Sequence, residues 1–131
     1  MTGDAVPPER LRPTQLYVNA EKLAAVLDRV GPSHEFGPLP VYAFDGQRYL
    51  TDGHTRALAA YLTGAETVTV EYDEDLPAKY DVALYRECIA WCDEAGVERV
   101  SDLVGRVLAP EAFERAWLER CTRAAERLDG D

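Results

Sequence analysis

The sequence predicts an α+β fold: a small mixed sheet with helices packed on it, followed by a helical C-terminal extension. Three observations carry that prediction. Two strand-like runs, residues 39–44 and 47–51, flank Asp45-Gly46, and an Asp-Gly pair suits a two-residue hairpin turn because both of its positions take positive φ. An Ala/Leu-rich helical run then starts at about Thr55, and the β-branched stretch Thr67-Val68-Thr69-Val70 reads as a further strand. Beyond residue 75 the apolar residues recur at the three-and-four spacing of helices.

Taken in order, residues 1–11 carry Gly3, Asp4, Pro7 and Pro8 and lack a basic start with an apolar core. They are expected to form a flexible tail and not a signal peptide. Arg12 to Val18 reads as an extended leading segment. Asn19 can cap a helix over residues 20–30, in which Leu23, Val26, Leu27 and Val30 share a face. Gly31-Pro32 ends that helix. A loop carries His34 and Glu35 to the hairpin, and Gly64 ends the central helix. Residues 12–75 thus form the core unit.

Residues 76–131 form the helical extension, packed on the core as one domain. A helix through about Ala95 is apolar on two sides, with Val82, Tyr85, Ile89 and Cys92 in one row and Leu84, Cys88, Trp91 and Ala95 in another. Such a helix is buried between layers or joins an interface. Ser101 can cap a short helix to Leu108. Pro110 opens a final helix whose inward stripe is Phe113, Trp117, Cys121, Ala124 and Leu128.

Composition bounds the function. With 14 basic against 24 acidic residues the net charge is -10, which opposes a surface built for duplex DNA. The basic residues are scattered singly. A helix N-terminus with one arginine can still hold a phosphate in an acidic protein. The acidic run Glu71-Tyr72-Asp73-Glu74-Asp75 reads as a solvated loop. No apolar run approaches the roughly 20 residues of a membrane span. The 3 cysteines have no framework spacing, so a reduced cytoplasmic protein is expected.

Most of the chemistry is concentrated in Asp52-Gly53-His54-Thr55-Arg56, where a strand runs directly into a helix. The first helical N–H groups have no partner within the helix, and the macrodipole favours an anion there. Gly53 permits close backbone approach. Arg56 can grip two phosphate oxygens, and its positive charge in a first helical turn opposes the dipole unless an anion is present. Gly53, His54, Thr55 and Arg56 are therefore the candidate phosphate-binding set, and Asp52 and His54 the candidate catalytic pair. Helix capping is the simpler role for Asp52.

With these residues in place, residues 12–72 resemble the ParB/sulfiredoxin superfamily. The resemblance rests on the Arg12-Pro13 lead-in, a helix, the stretch PLPVYAFDGQRYLTDGHTRALAA, and then GAETVTVEY. Sulfiredoxins place a nucleophilic cysteine where His54 stands, so thiol chemistry is not implied. Partition ParB proteins read Gly-Glu-Arg-Arg in this turn, bind CTP and carry a DNA-binding domain, for which the C-terminal helices lack length and a basic face. The free serine kinases of the superfamily read Asp-Gly-His-His-Arg, from which this chain departs only at Thr55.

That branch implies a nucleotide (ATP, ADP or CTP) with Mg²⁺ on the turn, and Asp52 in phosphoryl transfer. It also implies a catalytic Glu where Gln15 stands, and an amide cannot accept a proton. Gln15 and Glu35 are the substrate-side candidates. The expected function is a nucleotide- or phosphate-binding protein of small-molecule-kinase type. The alternative is a non-catalytic nucleotide sensor or interaction module, docking a protein partner or a second copy through the C-terminal helices. A DNA-partition accessory role and a membrane role are not expected.

Overall fold

The structure, a computed structural model, describes residues 4–129. Four strands make the main sheet: β1 (Asp4–Val6), β3 (Leu39–Phe44), β4 (Gln47–Leu50) and β5 (Val68–Tyr72), in the order β1-β5-β3-β4. β3 and β4 form the expected hairpin, antiparallel, with Phe44 opposite Gln47. Asp45 and Gly46 have φ of 52° and 81°, the left-handed pair that matches the twist of the strands. β5 runs parallel to β3, with Leu39 opposite Val70. That parallel return needs a crossover, which β4 and helix α2 (His54–Leu62) supply.

Helix α1 (Ala20–Val30) begins as expected at Asn19, whose Oδ1 accepts the N–H groups of Glu21 and Lys22. Helix α2 is the central element. Ala57, Leu58, Ala59 and Ala60 are each fully buried, and the three alanines let α1 and the 3-10 segments approach its backbone. Leu39, Val41, Leu50 and Val70 complete the core beneath it.

The sequence misreads the tail. Residues 4–11 are ordered: β1 pairs antiparallel with β5, Pro8–Arg10 is a 3-10 turn, and Leu11 is buried with its carbonyl accepting from Val100 N–H at 2.9 Å. The order comes from partners distant in the chain. β5 needs an edge neighbour, and buried Pro8 sits in a turn packed on α2. Residues 1–3 of the expected tail, and residues 130–131 of the extension, lie outside the described residues.

In the extension, the long helix expected from residue 75 is two helices, α3 (Leu76–Lys79) and α4 (Val82–Ala95). Asp81 starts the second by accepting the Leu84 N–H at 3.2 Å, a cap hidden inside what reads as a continuous apolar pattern. α4 is indeed two-sided. Val82, Tyr85 and Ile89 pack with Phe44, Tyr49 and Leu76, while Leu84, Cys88 and Trp91 pack on the main core, as does Cys92, which the sequence places in the first row. Ala95 is exposed.

Ser101 does not cap a helix. Residues Val100–Arg106 form a 3-10 segment, started by Asp102, whose carboxylate accepts the N–H groups of Glu98 and Arg99. The chain then forms β6 (Val107–Leu108), which pairs in parallel with β2 (Val18–Asn19). The last helix is continuous through α5 (Pro110–Phe113), a π-turn at Glu114–Leu118 and α6 (Glu119–Asp129). Its inward residues Phe113, Trp117 and Ala124 are buried. No helix of the described residues is long and apolar enough to cross a membrane.

Candidate functional site

The turn after β4 holds the candidate site, and Gly53 makes the turn possible. Its φ is +75°, and a Cβ there would stand 3.0 Å from both Leu39 Cδ2 and Arg56 Nη2. The Arg56 tip can move, whereas Leu39 is fully buried. Gly53→Ala is therefore expected to destabilise the fold by about 2 kcal/mol, from left-handed strain plus a displaced core leucine. A urea denaturation curve checks this, and an unchanged midpoint would contradict it.

The N–H of Gly53 is taken by Asp52 Oδ1 at 2.8 Å, while the helical ladder begins at Ala57 N–H to Gly53 carbonyl. The amides of His54, Thr55 and Arg56 precede that ladder, and no side chain caps α2. They are the free donors of its first turn.

His54 differs from its expected role. The ring is buried, and Nε2 accepts the Thr14 N–H at 2.9 Å. That acceptor role places the proton on Nδ1. Burial lowers its pKa from 6.5 to about 4, with Asp52 pulling weakly the other way. A neutral ring committed at Nε2 to the backbone is a strut between the leading segment and α2. It is not a free general base.

Arg56 also has a structural use the sequence did not suggest. Its Nη1 donates to the carbonyls of Phe36 at 2.9 Å and Pro38 at 3.3 Å, so carbonyl dipoles answer its charge. This clamp ties the loop to α2 at Phe36 and Pro38, and Glu35 is not brought to the site. Glu35 and His34 line a separate cavity with Thr67, Val68 and Thr69, and His34 lies 3.1 Å from the Thr63 carbonyl.

A groove of about 520 Å³ opens over the α2 N-terminus. Asp52, Gly53, His54, Thr55, Arg56 and Gln15 all line it, so the structure gathers every candidate except Glu35. Gln15 is held by its own amide, which donates to the Tyr17 carbonyl at 2.8 Å. The groove also contains residues the sequence reading missed. Lys22 and Arg29 come from α1, and Phe113, Trp117 and Leu118 from the last helix.

Lys22 and Arg29 lie seven apart on one helical face, and that spacing is the signal that could have found them. Singly scattered in sequence, they line the same groove as Arg56. Among the described residues lining the groove, three cations therefore face one carboxylate, Asp52. A larger cavity of about 620 Å³ is lined by Glu71, Asp73, Glu74 and Asp75 with one lysine, and it would repel a phosphate. Among the described residues no cluster of three or more His, Cys, Asp or Glu side chains is placed to hold a metal.

No protein-family model matches the chain, and no curated protein matches it. A solved structure does. The chain resembles the crystal structure of protein Atu1540 from Agrobacterium tumefaciens, with a TM-score of 0.51 and 19% identity over 77% of this chain. The likeness is one of fold. It spans 61% of that protein, less than two thirds of its length.

Proposed function

We propose that this protein binds a nucleotide or another phosphate ligand in the groove over the α2 N-terminus. One observation carries the reading: in a chain of net charge -10, Lys22, Arg29 and Arg56 line one groove with the start of a helix whose first amides no side chain caps. Local positive charge in an acidic molecule is what a phosphate site requires. The amides of His54, Thr55 and Arg56 would receive phosphate oxygens, Lys22 and Arg29 would neutralise charge from α1, and Phe113, Trp117 and Leu118 offer an apolar wall to a base.

The groove is compatible with Mg²⁺ in the form this ion usually takes, one carboxylate plus phosphate oxygens and water. Asp52 is that carboxylate. The resemblance of residues 12–72 to the ParB/sulfiredoxin superfamily belongs to the same proposal, as does a cytoplasmic setting.

A second reading, phosphoryl transfer to a small acceptor, is supported by the placement of Asp52 and Gln15 in one groove. Two facts favour binding without turnover. Gln15 is neutral where the kinase branch carries Glu, and His54 is committed to Thr14. Thermal melting with ATP, ADP, CTP and GTP, each with Mg²⁺, tests the proposal. At least one is expected to raise Tm, since a ligand that binds only the folded state stabilises it. If none does, and inorganic pyrophosphate is equally silent, the proposal fails.

A further inference from the structure

We propose that Cys88 and Cys121 form a redox-modification site, a thiol pair that a peroxide converts into a disulfide within one chain, joining α4 to the last helix. The pair lies in the helical extension, outside residues 12–72, and the proposal does not rest on the phosphate reading.

Three observations lead to it. The first is the register of the two helices. Glu87 of α4 is paired with Arg127 of α6 at 2.6 Å. Further along α4, the Trp91 ring meets Trp117 edge-on at 5.8 Å and lies under the Arg120 guanidinium at 4.1 Å. Partners fall in number along the last helix as they rise along α4, so the helices run antiparallel. Cys88 and Cys121 fall between these fixed pairs. Cα atoms of the two helices come within 8 Å of each other, and buried Ala124 adds no bulk one turn beyond Cys121. Helices that close need only a small adjustment to reach the Cα spacing of a disulfide.

The second is access. Cys88 and Cys121 both line a cavity of about 240 Å³ between the start of α2 and α4, so a small oxidant can reach them. Cys121 is half-buried and Cys88 is buried. Cys92, also buried, is not part of that lining.

The third is the chemistry of the two thiols. With Cys88 as its hydrogen-bond donor, Cys121 has its pKa held below the ordinary thiol value, and Arg120 pulls the same way against burial. The same contact, together with burial, pushes Cys88 up. Cys121 is therefore the thiolate that attacks and Cys88 the thiol that resolves. The step balances with hydrogen peroxide as the oxidant. The Cys121 sulfur takes one peroxide oxygen as the O–O bond breaks, giving a sulfenic acid and one water. The Cys88 sulfur then bonds to that sulfur, the S–O bond breaks, and hydroxide leaves with the Cys88 proton as the second water. Two thiols lose two electrons and one peroxide becomes two waters.

Peptide mapping by mass spectrometry tests this on the full chain, oxidised while folded with hydrogen peroxide, without nucleotide, and then alkylated. The expected product is a monomer that has lost two hydrogen atoms, with Cys88 linked to Cys121 and the link reversed by dithiothreitol. Before oxidation, iodoacetamide is expected to modify Cys121 at least about tenfold faster than Cys88. Cys88→Ser should leave Cys121 as a sulfenic acid that dimedone traps. A link between Cys88 and Cys92, a disulfide between two chains, Cys121 driven to sulfinic acid with Cys88 still reduced, equal alkylation of the two thiols, or no oxidation would each overturn the proposal. The mapping needs no variant, so it decides even where Cys88→Ser fails to fold.

Discussion

Lowering the pH from 6.5 toward 4 is expected to remove about 3 kcal/mol of folding stability through His54 alone. The sign follows from where the proton binds. Burial favours the neutral ring and depresses the folded-state pKa to about 4. Between the two values the unfolded chain takes up a proton that the folded chain refuses. The contribution is therefore complete above pH 6.5 and is lost as the pH falls through about 4.

Other carboxylates titrate in the same range, so the measurement is a difference. His54→Gln offers an amide oxygen to Thr14 N–H and carries no charge. Urea denaturation of both proteins at several pH values should give a shallower pH dependence for the variant, by about 3 kcal/mol across the window. Parallel curves would contradict the buried, neutral assignment of His54.

Removing Lys22 and Arg29 together has the next largest effect, and it falls on binding. Both are exposed residues of α1 that line the groove. Neither is in an ion pair with a described residue, so alanine should change stability little. Charge-assisted contacts to phosphate are worth about 1.5 kcal/mol or more each, so the double variant should bind MgATP on the order of a hundredfold more weakly. Calorimetric titration checks it. Arg56→Ala is a poorer probe, because it also releases the Phe36 and Pro38 carbonyls and frees the loop.

What the sequence revealed was largely local. The Asp45-Gly46 turn, the Asn19 cap and the strand-to-helix junction at Gly53 each rest on residues within a few positions of one another, and each is present. What it hid depends on distant partners. β1 looks like a tail because its order comes from β5, more than sixty residues away.

The site divides along the same line. Asp52 to Arg56 are contiguous and were singled out together. Lys22 and Arg29 gain significance only when α1 packs beside α2. Arg56 reads as a ligand for an anion because the carbonyls it clamps lie about twenty residues upstream. His54 reads as reactive because nothing near it in sequence shows that Thr14 will cover it.

The most direct test of the phosphate groove is a two-dimensional NMR titration of the full chain with MgATP, following backbone amides. If phosphate oxygens seat on the first turn of α2, the amide signals of His54, Thr55 and Arg56 should shift most, with Lys22 and Arg29 shifting on α1. Saturable binding that leaves those three amides unmoved would place the nucleotide elsewhere and contradict the account.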